Sequence, residues 1–325
     1  MMSIHTARMS SRSRQPVDAR SVWLPNDFPT DRTWSYELTD TQVDCLVEYG
    51  RGAPIDELRS AFENQSTLWP SILGDGPGFL RIRGFPVQTH PAEQTARSYL
   101  GMASIFGSPV AQDRAGNLIT DIRDERSAAV TGRRYQTNLA QDFHTDAADL
   151  VGLLCLRSAK TGGESRIVSA HTVYNEMLRT APELLEVLYT PMPWSRNNET
   201  QGAAPFFELA PITDVCSVPR IFLIPWYIWQ SQQHGTAPRL TGDQVAALTL
   251  VTEIAARPEL HIEMTFEPGD LQLLNNTTVL HSRAAYADHD DPARRRHLLR
   301  LWLSIGTTPD ANSVSLPVST PRSRR

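Results

Sequence analysis

The chain has 325 residues, a formal net charge of -5, 40% hydrophobic and 21% charged residues. This is the composition of a globular protein, not of a disordered or fibrous one. The segments 1–20 and 306–325 are basic and the body between them is acidic, which excludes the broad basic footprint of a non-specific nucleic-acid binder.

Residues 1–20 read as a basic tail without an apolar signal core. Residues 40–50 and 55–63 have helical character, starting near Asp40 and Pro54. Gly78 to Arg83 alternates with period two and reads as a strand. An amphipathic helix is expected over 92–106, ended by Gly107. Strands follow at 118–123, 150–157, 165–169, 220–224, 260–266, 271–274, 278–282 and 297–305, interrupted by helices over 171–189 and 241–256. Short strands with few interspersed helices predict a mainly β barrel or sandwich with flanking helices. The expected organisation is one domain over 21–305 between two tails, 1–20 and 306–325. The longest apolar run, Ile221 to Trp229, contains Pro225 and is too short to span a bilayer. No glycine-rich phosphate loop follows a strand. Cys45, Cys155 and Cys216 are widely spaced and form no zinc or disulfide pattern, and Cys155 reads as a buried thiol. A reducing, cytoplasmic setting is expected.

Three features can carry chemistry. In Phe143-His144-Thr145-Asp146 the imidazole and the carboxylate stand two positions apart, so an extended backbone turns both to one side. His281 ends the apolar run before Ser282-Arg283, far along the chain, where a closed barrel could return it to His144. Two histidines and one carboxylate on one face leave three coordination positions open, as in the facial triad of non-heme Fe(II) oxygenases; a closed zinc site would want a fourth protein ligand. Finally, Arg296 and Arg300 stand in or beside the apolar run to Leu303 and share a face with Leu298 and Trp302. A buried guanidinium needs an anion, and it matches a carboxylate in a bidentate fork.

These motifs, with Gly84-Phe85-Pro86-Val87, Gly162-Gly163-Glu164-Ser165, Pro268-Gly269-Asp270 and Asn275-Asn276, resemble the TauD/TfdA family of Fe(II)- and 2-oxoglutarate-dependent oxygenases, in its clavaminate-synthase-like branch. The resemblance covers roughly residues 78–305. It implies a double-stranded β-helix (jelly-roll) core with outer helices. It implies His144, Asp146 and His281 as iron ligands, and Ser165 and Arg296 as holders of the 2-oxoglutarate tail carboxylate. Arg300 matches a position that contacts substrate in some members and 2-oxoglutarate in others. The loop from His281 to Arg296 is longer than in taurine dioxygenase, which leaves Arg295 open beside Arg296. With Asp146 present, the position that related halogenases free for chloride is filled, so hydroxylation is expected, with desaturation or epoxidation as alternatives. The implied partners are a small-molecule substrate and O2, with no nucleic acid and no membrane; self-association is left open. An amino-acid- or peptide-derived natural product is the expected substrate. Catabolism of a small sulfonate or carboxylate, or a metal-retaining binding protein without turnover, are the alternatives.

Other residues take plainer roles. His90, His171, His234 and His289 read as surface residues near turns or helix starts. His261 reads as packed on a strand, and His297 as facing away from Arg296. Arg283 stands two residues after His281, near the site. Asn275 and Asn276 serve either the ligands or a turn. Phe222, Trp226, Tyr227 and Trp229 read as core packing, and Tyr135, Gln136, Thr137 and Asn138 as pocket residues.

Overall fold

A computed structural model describes residues 14–88, 90–113, 115–125, 136–197 and 204–306. The chain opens with β1 (Ser35–Glu37), then α1 (Asp40–Arg51), α2 (Ile55–Ala61), α3 (Gln65–Gly74), β2 (Phe79–Arg83), α4 (Ala92–Ala103), β3 (Ser108–Val110) and β4 (Ile119–Ile122). The middle holds β5 (Gln141–His144), β6 (Leu150–Arg157), β7 (Thr161–Gly162), β8 (Ser165–Ser169), α5 (Ala170–Thr180), α6 (Pro182–Val187), β9 (Met192–Ser195), β10 (Phe206–Leu209), β11 (Ile212–Val215) and β12 (Val218–Ile221). The chain continues with α7 (Pro225–Ser231), α8 (Gly242–Ala255), β13 (His261–Met264), β14 (Leu271–Asn275), β15 (Val279–Arg283), β16 (Tyr286–Ala287) and β17 (His297–Ser304).

Two sheets carry the fold. The larger runs β1-β2-β14-β6-β17-β3, with β4 also on β17, and the smaller runs β13-β8-β15-β5. All their pairings are antiparallel except β1 with β2. The mainly β, jelly-roll expectation therefore holds.

Alternation along the strands sorts side chains into three apolar layers. On β17, Leu299, Leu301 and Leu303 face outward, where α1 to α4 supply Leu46, Leu58, Trp69, Leu73, Tyr99 and Met102. Leu298 of the same strand turns inward to Cys155, Val151, Leu274 and Ile167 between the sheets. The outer face of the smaller sheet packs Val168 and Leu280 against Val173, Met177, Leu248 and Val251 of α5 and α8. Strands buried on both faces read as near-continuous apolar runs, as β6 does.

Local signals set the helix starts. Thr39 and Gln42 form a capping box on α1, and Thr241 and Gln244 form one on α8, each satisfying otherwise unpaired backbone N–H groups. Gly269 has φ 93, and an added Cβ would lie 2.7 Å from the Phe85 carbonyl. The turn that leads into β14 therefore requires glycine.

Several expectations are corrected. The helix expected over 171–189 is two helices, broken at Ala181 because Pro182 starts the second. The strand expected over 220–224 ends at Ile221, and Pro225 opens α7 instead. Helix α3 was not expected; it contains Pro70 and little amphipathic pattern. Within the stretch expected as a tail over 1–20, Arg14 and Val17 make contacts with the domain. Arg14 donates to Glu186 and Asp214 at 2.7 Å each, and the Val17 amide donates to Asn175 Oδ1. Residues 1–13 and 307–325 lie outside the described residues. His171 is buried, not a surface residue: its ring bonds Ser21 Oγ at 2.7 Å and meets the Pro219 carbonyl at 2.9 Å. Cys155 is buried as expected, and all three cysteines are free. Among the described residues no helix is long and apolar enough to cross a membrane.

Candidate metal and cosubstrate site

Strands β5 and β15 place the two histidines. His281 and His144 are direct partners in their antiparallel pairing, so both side chains stand on one face. Their ring centroids are 4.3 Å apart. Asp146 lies just past the end of β5. Its backbone N–H donates to Asn276 Oδ1 at 3.0 Å, and the Thr145 N–H donates to the Leu223 carbonyl at 2.8 Å. These two bonds hold the bend that turns the carboxylate toward the histidines. One ligand atom from each of His144, Asp146 and His281 lies within 4.8 Å of the other two.

Individual atoms are set for coordination. His144 Nδ1 meets the Asp142 carbonyl at 2.8 Å, which fixes the Nδ1–H tautomer and leaves Nε2 as a lone-pair donor. His281 Nε2 lies 3.9 Å from Asp146 Oδ2, a buried oxygen without a hydrogen-bond partner. An orphaned carboxylate oxygen beside two imidazoles fits a divalent cation.

The charge states agree with that use. Burial pushes His281 down to about 3, with His144 adding to the shift and Asp146 opposing it. His144 is lowered for the same first reason, burial. Burial alone would raise Asp146, but Arg300, His281 and His144 outweigh it and the group is lowered. Neutral imidazoles and an ionised carboxylate are the metal-binding forms.

The same shifts give a stability test. The unfolded histidines take up protons near pH 6.5, whereas folded His281 does not until about pH 3, and folded His144 is lowered as well. The contribution of His281 is therefore present above about 6.5 and is lost as pH falls toward 3, and that of His144 has the same sign. Through His281 the metal-free protein is expected to lose up to about 1.4 kcal/mol per pH unit. Thermal melts of the metal-free protein between pH 7 and 5 should show this slope, reduced in His281→Gln. An equal slope in both proteins would remove His281 as its source.

Beyond the triad, Arg300 is buried and already engaged. Its Nη1 donates to Asp146 Oδ1 at 3.1 Å, its Nε donates to Gln112 Oε1 at 2.8 Å, and the guanidinium lies 4.6 Å from the Trp302 ring. Arg296 is buried with Nη1 unpartnered. It passes Gly163, where a Cβ would come within 3.2 Å of its Nε. Ser165 is buried and donates to Gln272 Oε1 at 3.1 Å. Arg295 instead turns to the loop, donating from Nη2 to the Asp290 carbonyl at 3.2 Å. A buried guanidinium on the inner face with Nη1 unpartnered suits a carboxylate ligand.

Of the two asparagines, Asn276 serves the site through Asp146. Asn275 serves a turn, donating to the Leu73 carbonyl and accepting from the Thr277 amide. His297 turns from Arg296 to Asp121 and Arg157. Phe222 and Tyr227 pack on the outer apolar layer as expected, whereas Trp229 is exposed. Asn138 donates to the Tyr286 carbonyl and Gln136 to Glu125; Tyr135 lies outside the described residues. Gln112 carries no local signal in the sequence, because its role comes from pairing with a strand 188 residues away.

The model of the taurine catabolism dioxygenase TauD, TfdA family matches residues 56–302. The chain belongs to the TauD/TfdA family. FR-33289 synthase of Streptomyces rubellomurinus is 32% identical over 315 residues, covering 90% of this chain and 91% of the relative. Among solved structures, asparagine oxygenase in complex with Fe(II), 2S,3S-3-hydroxyasparagine and succinate aligns with TM-score 0.65 at 17% identity, over 84% of this chain and 94% of that one. The non-heme iron oxygenase OrfP with Fe and alpha-ketoglutaric acid aligns with TM-score 0.61 at 15% identity, over 83% and 94%. Those two likenesses concern the fold. As a TauD/TfdA member the protein is an Fe(II)- and 2-oxoglutarate-dependent dioxygenase.

Proposed function

We propose that this TauD/TfdA enzyme hydroxylates an unactivated C–H bond of a small amino-acid- or peptide-derived molecule, with His144, Asp146 and His281 as its iron ligands. The observation that carries the reading is the pairing of a three-ligand cluster, one carboxylate oxygen of which is unpartnered, with a buried Arg296 whose Nη1 has no partner. Relatives of like fold include an oxygenase acting on asparagine and one described with hydroxylated arginine, which supports an amino-acid-like substrate.

Fe(II) together with 2-oxoglutarate supplies the oxidising chemistry: O2 is consumed, succinate and CO2 are released, and one oxygen atom is inserted into the C–H bond. The chain's own residues do the positioning. His144, Asp146 and His281 would hold the metal between them. Arg296 and Ser165 hold the far carboxylate of 2-oxoglutarate. Arg300 neutralises Asp146 and, with Asn276, fixes its direction. Apolar side chains of the inner layer, among them Ile167 and Leu298, keep water from this end of the barrel.

Asp146 supports hydroxylation over halogenation because it fills the position a halide would take. The test is mass analysis of products from a panel of amino acids and short peptide-derived amides, with enzyme, Fe(II), 2-oxoglutarate and O2. The expected product is heavier by one oxygen atom. A product lighter by two hydrogens would replace hydroxylation with desaturation.

A further inference from the structure

Arg283 has no part in the ligand set, yet it points to the same interior. It follows His281 by two residues on β15, so both side chains leave the strand on one face. Its pairing partner on β8 is Ser165, which puts guanidinium and hydroxyl side by side on that face. A two-residue step along a strand is about 6.8 Å, comparable to the reach of a five-carbon dicarboxylate whose other end sits at the triad.

The guanidinium is buried and half used. Nη2 donates to the Thr137 carbonyl at 2.8 Å and to the Leu139 carbonyl. Nε and Nη1 are buried without a partner, as is Nη1 of Arg296. Both guanidinium groups lie 5.0 Å from the Tyr286 ring. Among the described residues neither guanidinium forms an ion pair; Asp124 and Asp288 act on Arg283 and Arg296 only from farther off. Two like charges buried beside one ring are costly unless an anion joins them.

We propose that Arg283 is a second arm of the anion seat and that, with Arg296 and Ser165, it holds the distal carboxylate of 2-oxoglutarate. The proposal rests on the cosubstrate reading above and adds a residue to it. The competing role is mechanical: through Nη2 alone, Arg283 would merely strut the backbone of 137–139 that leads into β5.

Calorimetric titration of the anaerobic, Fe(II)-loaded protein separates the two roles. Two ligands are compared: 2-oxoglutarate, and 2-oxopentanoate, which keeps the keto-acid head but lacks the distal carboxylate. Arg283→Gln is expected to weaken 2-oxoglutarate about 10- to 100-fold, the scale of hydrogen bonds to a charged group, while 2-oxopentanoate binds as in the parent. Arg296→Ala should show the same selectivity. Arg283→Lys, which keeps the charge and loses the fork, should recover part of the affinity, and it carries the comparison if circular dichroism shows Arg283→Gln unfolded. Equal weakening of both acids would leave only the strut, and no weakening of either would remove Arg283 from the seat. A parent protein that does not prefer 2-oxoglutarate would overturn the cosubstrate reading itself.

Discussion

Alanine at His144, Asp146 or His281 is expected to lower turnover by well over 100-fold and to remove tight Fe(II) binding. Partners that only orient a ligand already contribute about 10- to 100-fold to metal affinity or activity, and these three are assigned as the ligands themselves. The cluster offers one atom per residue, so loss of any one leaves two. Turnover and Fe(II) binding should be measured separately, because Asp146→Ala also strips Arg300 of its carboxylate. Asp146→Asn keeps the shape and a hydrogen-bond acceptor, and it isolates the loss of charge. Full Fe(II) affinity in His144→Ala or His281→Ala would break the assignment.

Arg300→Leu is expected to destabilise the metal-free protein by about 3–5 kcal/mol, the usual consequence of breaking a buried ion pair from one side. Arg300 and Asp146 are almost fully enclosed, with side chains 11% and 8% exposed. The substitution also leaves Gln112 Oε1 without the donor it has now. Because the harm comes from a carboxylate left uncompensated, two recoveries should follow. Fe(II) should restore part of the stability by supplying positive charge beside Asp146. Adding Asp146→Asn to Arg300→Leu should recover more than the sum of the single effects allows. Urea unfolding of the four proteins measures both. A single-variant loss below about 1 kcal/mol, within the range of exposed pairs, would mean that Arg300 does not hold Asp146.

This assigns Arg300 a place that the sequence left open. From sequence, Arg296 and Arg300 looked alike: two arginines on one face of an apolar strand. Their difference lies in what faces them. Arg300 meets Asp146 and Gln112, whereas Arg296 meets the Tyr286 ring and keeps Nη1 unpartnered. Long-range pairing makes that distinction, and local periodicity does not carry it.

Other parts were legible for clear reasons. His144 and Asp146 are two apart on extended chain, and His281 ends an apolar run, so strand periodicity alone orients them. The strands at 150–157, 271–274 and 297–305 were readable because both faces are buried and the apolar runs are long. Helix α3 was not, since Pro70 lies inside it and its apolar residues do not form one stripe. His171 was misread because a polar residue at a helix start is usually exposed. Here Ser21, from a segment 150 residues earlier, closes over it. Asn276 orients Asp146 across 130 residues, a contact with no trace in either local sequence.

As proposed, His144, Asp146 and His281 let this chain couple Fe(II), 2-oxoglutarate and O2. Turnover under 18O2, with succinate analysed by mass, tests it most directly. The account requires one labelled oxygen in succinate, one succinate per O2 consumed, strict dependence on Fe(II), and loss of the signal in His144→Ala. Unlabelled succinate, or labelled succinate undiminished in His144→Ala, would contradict it.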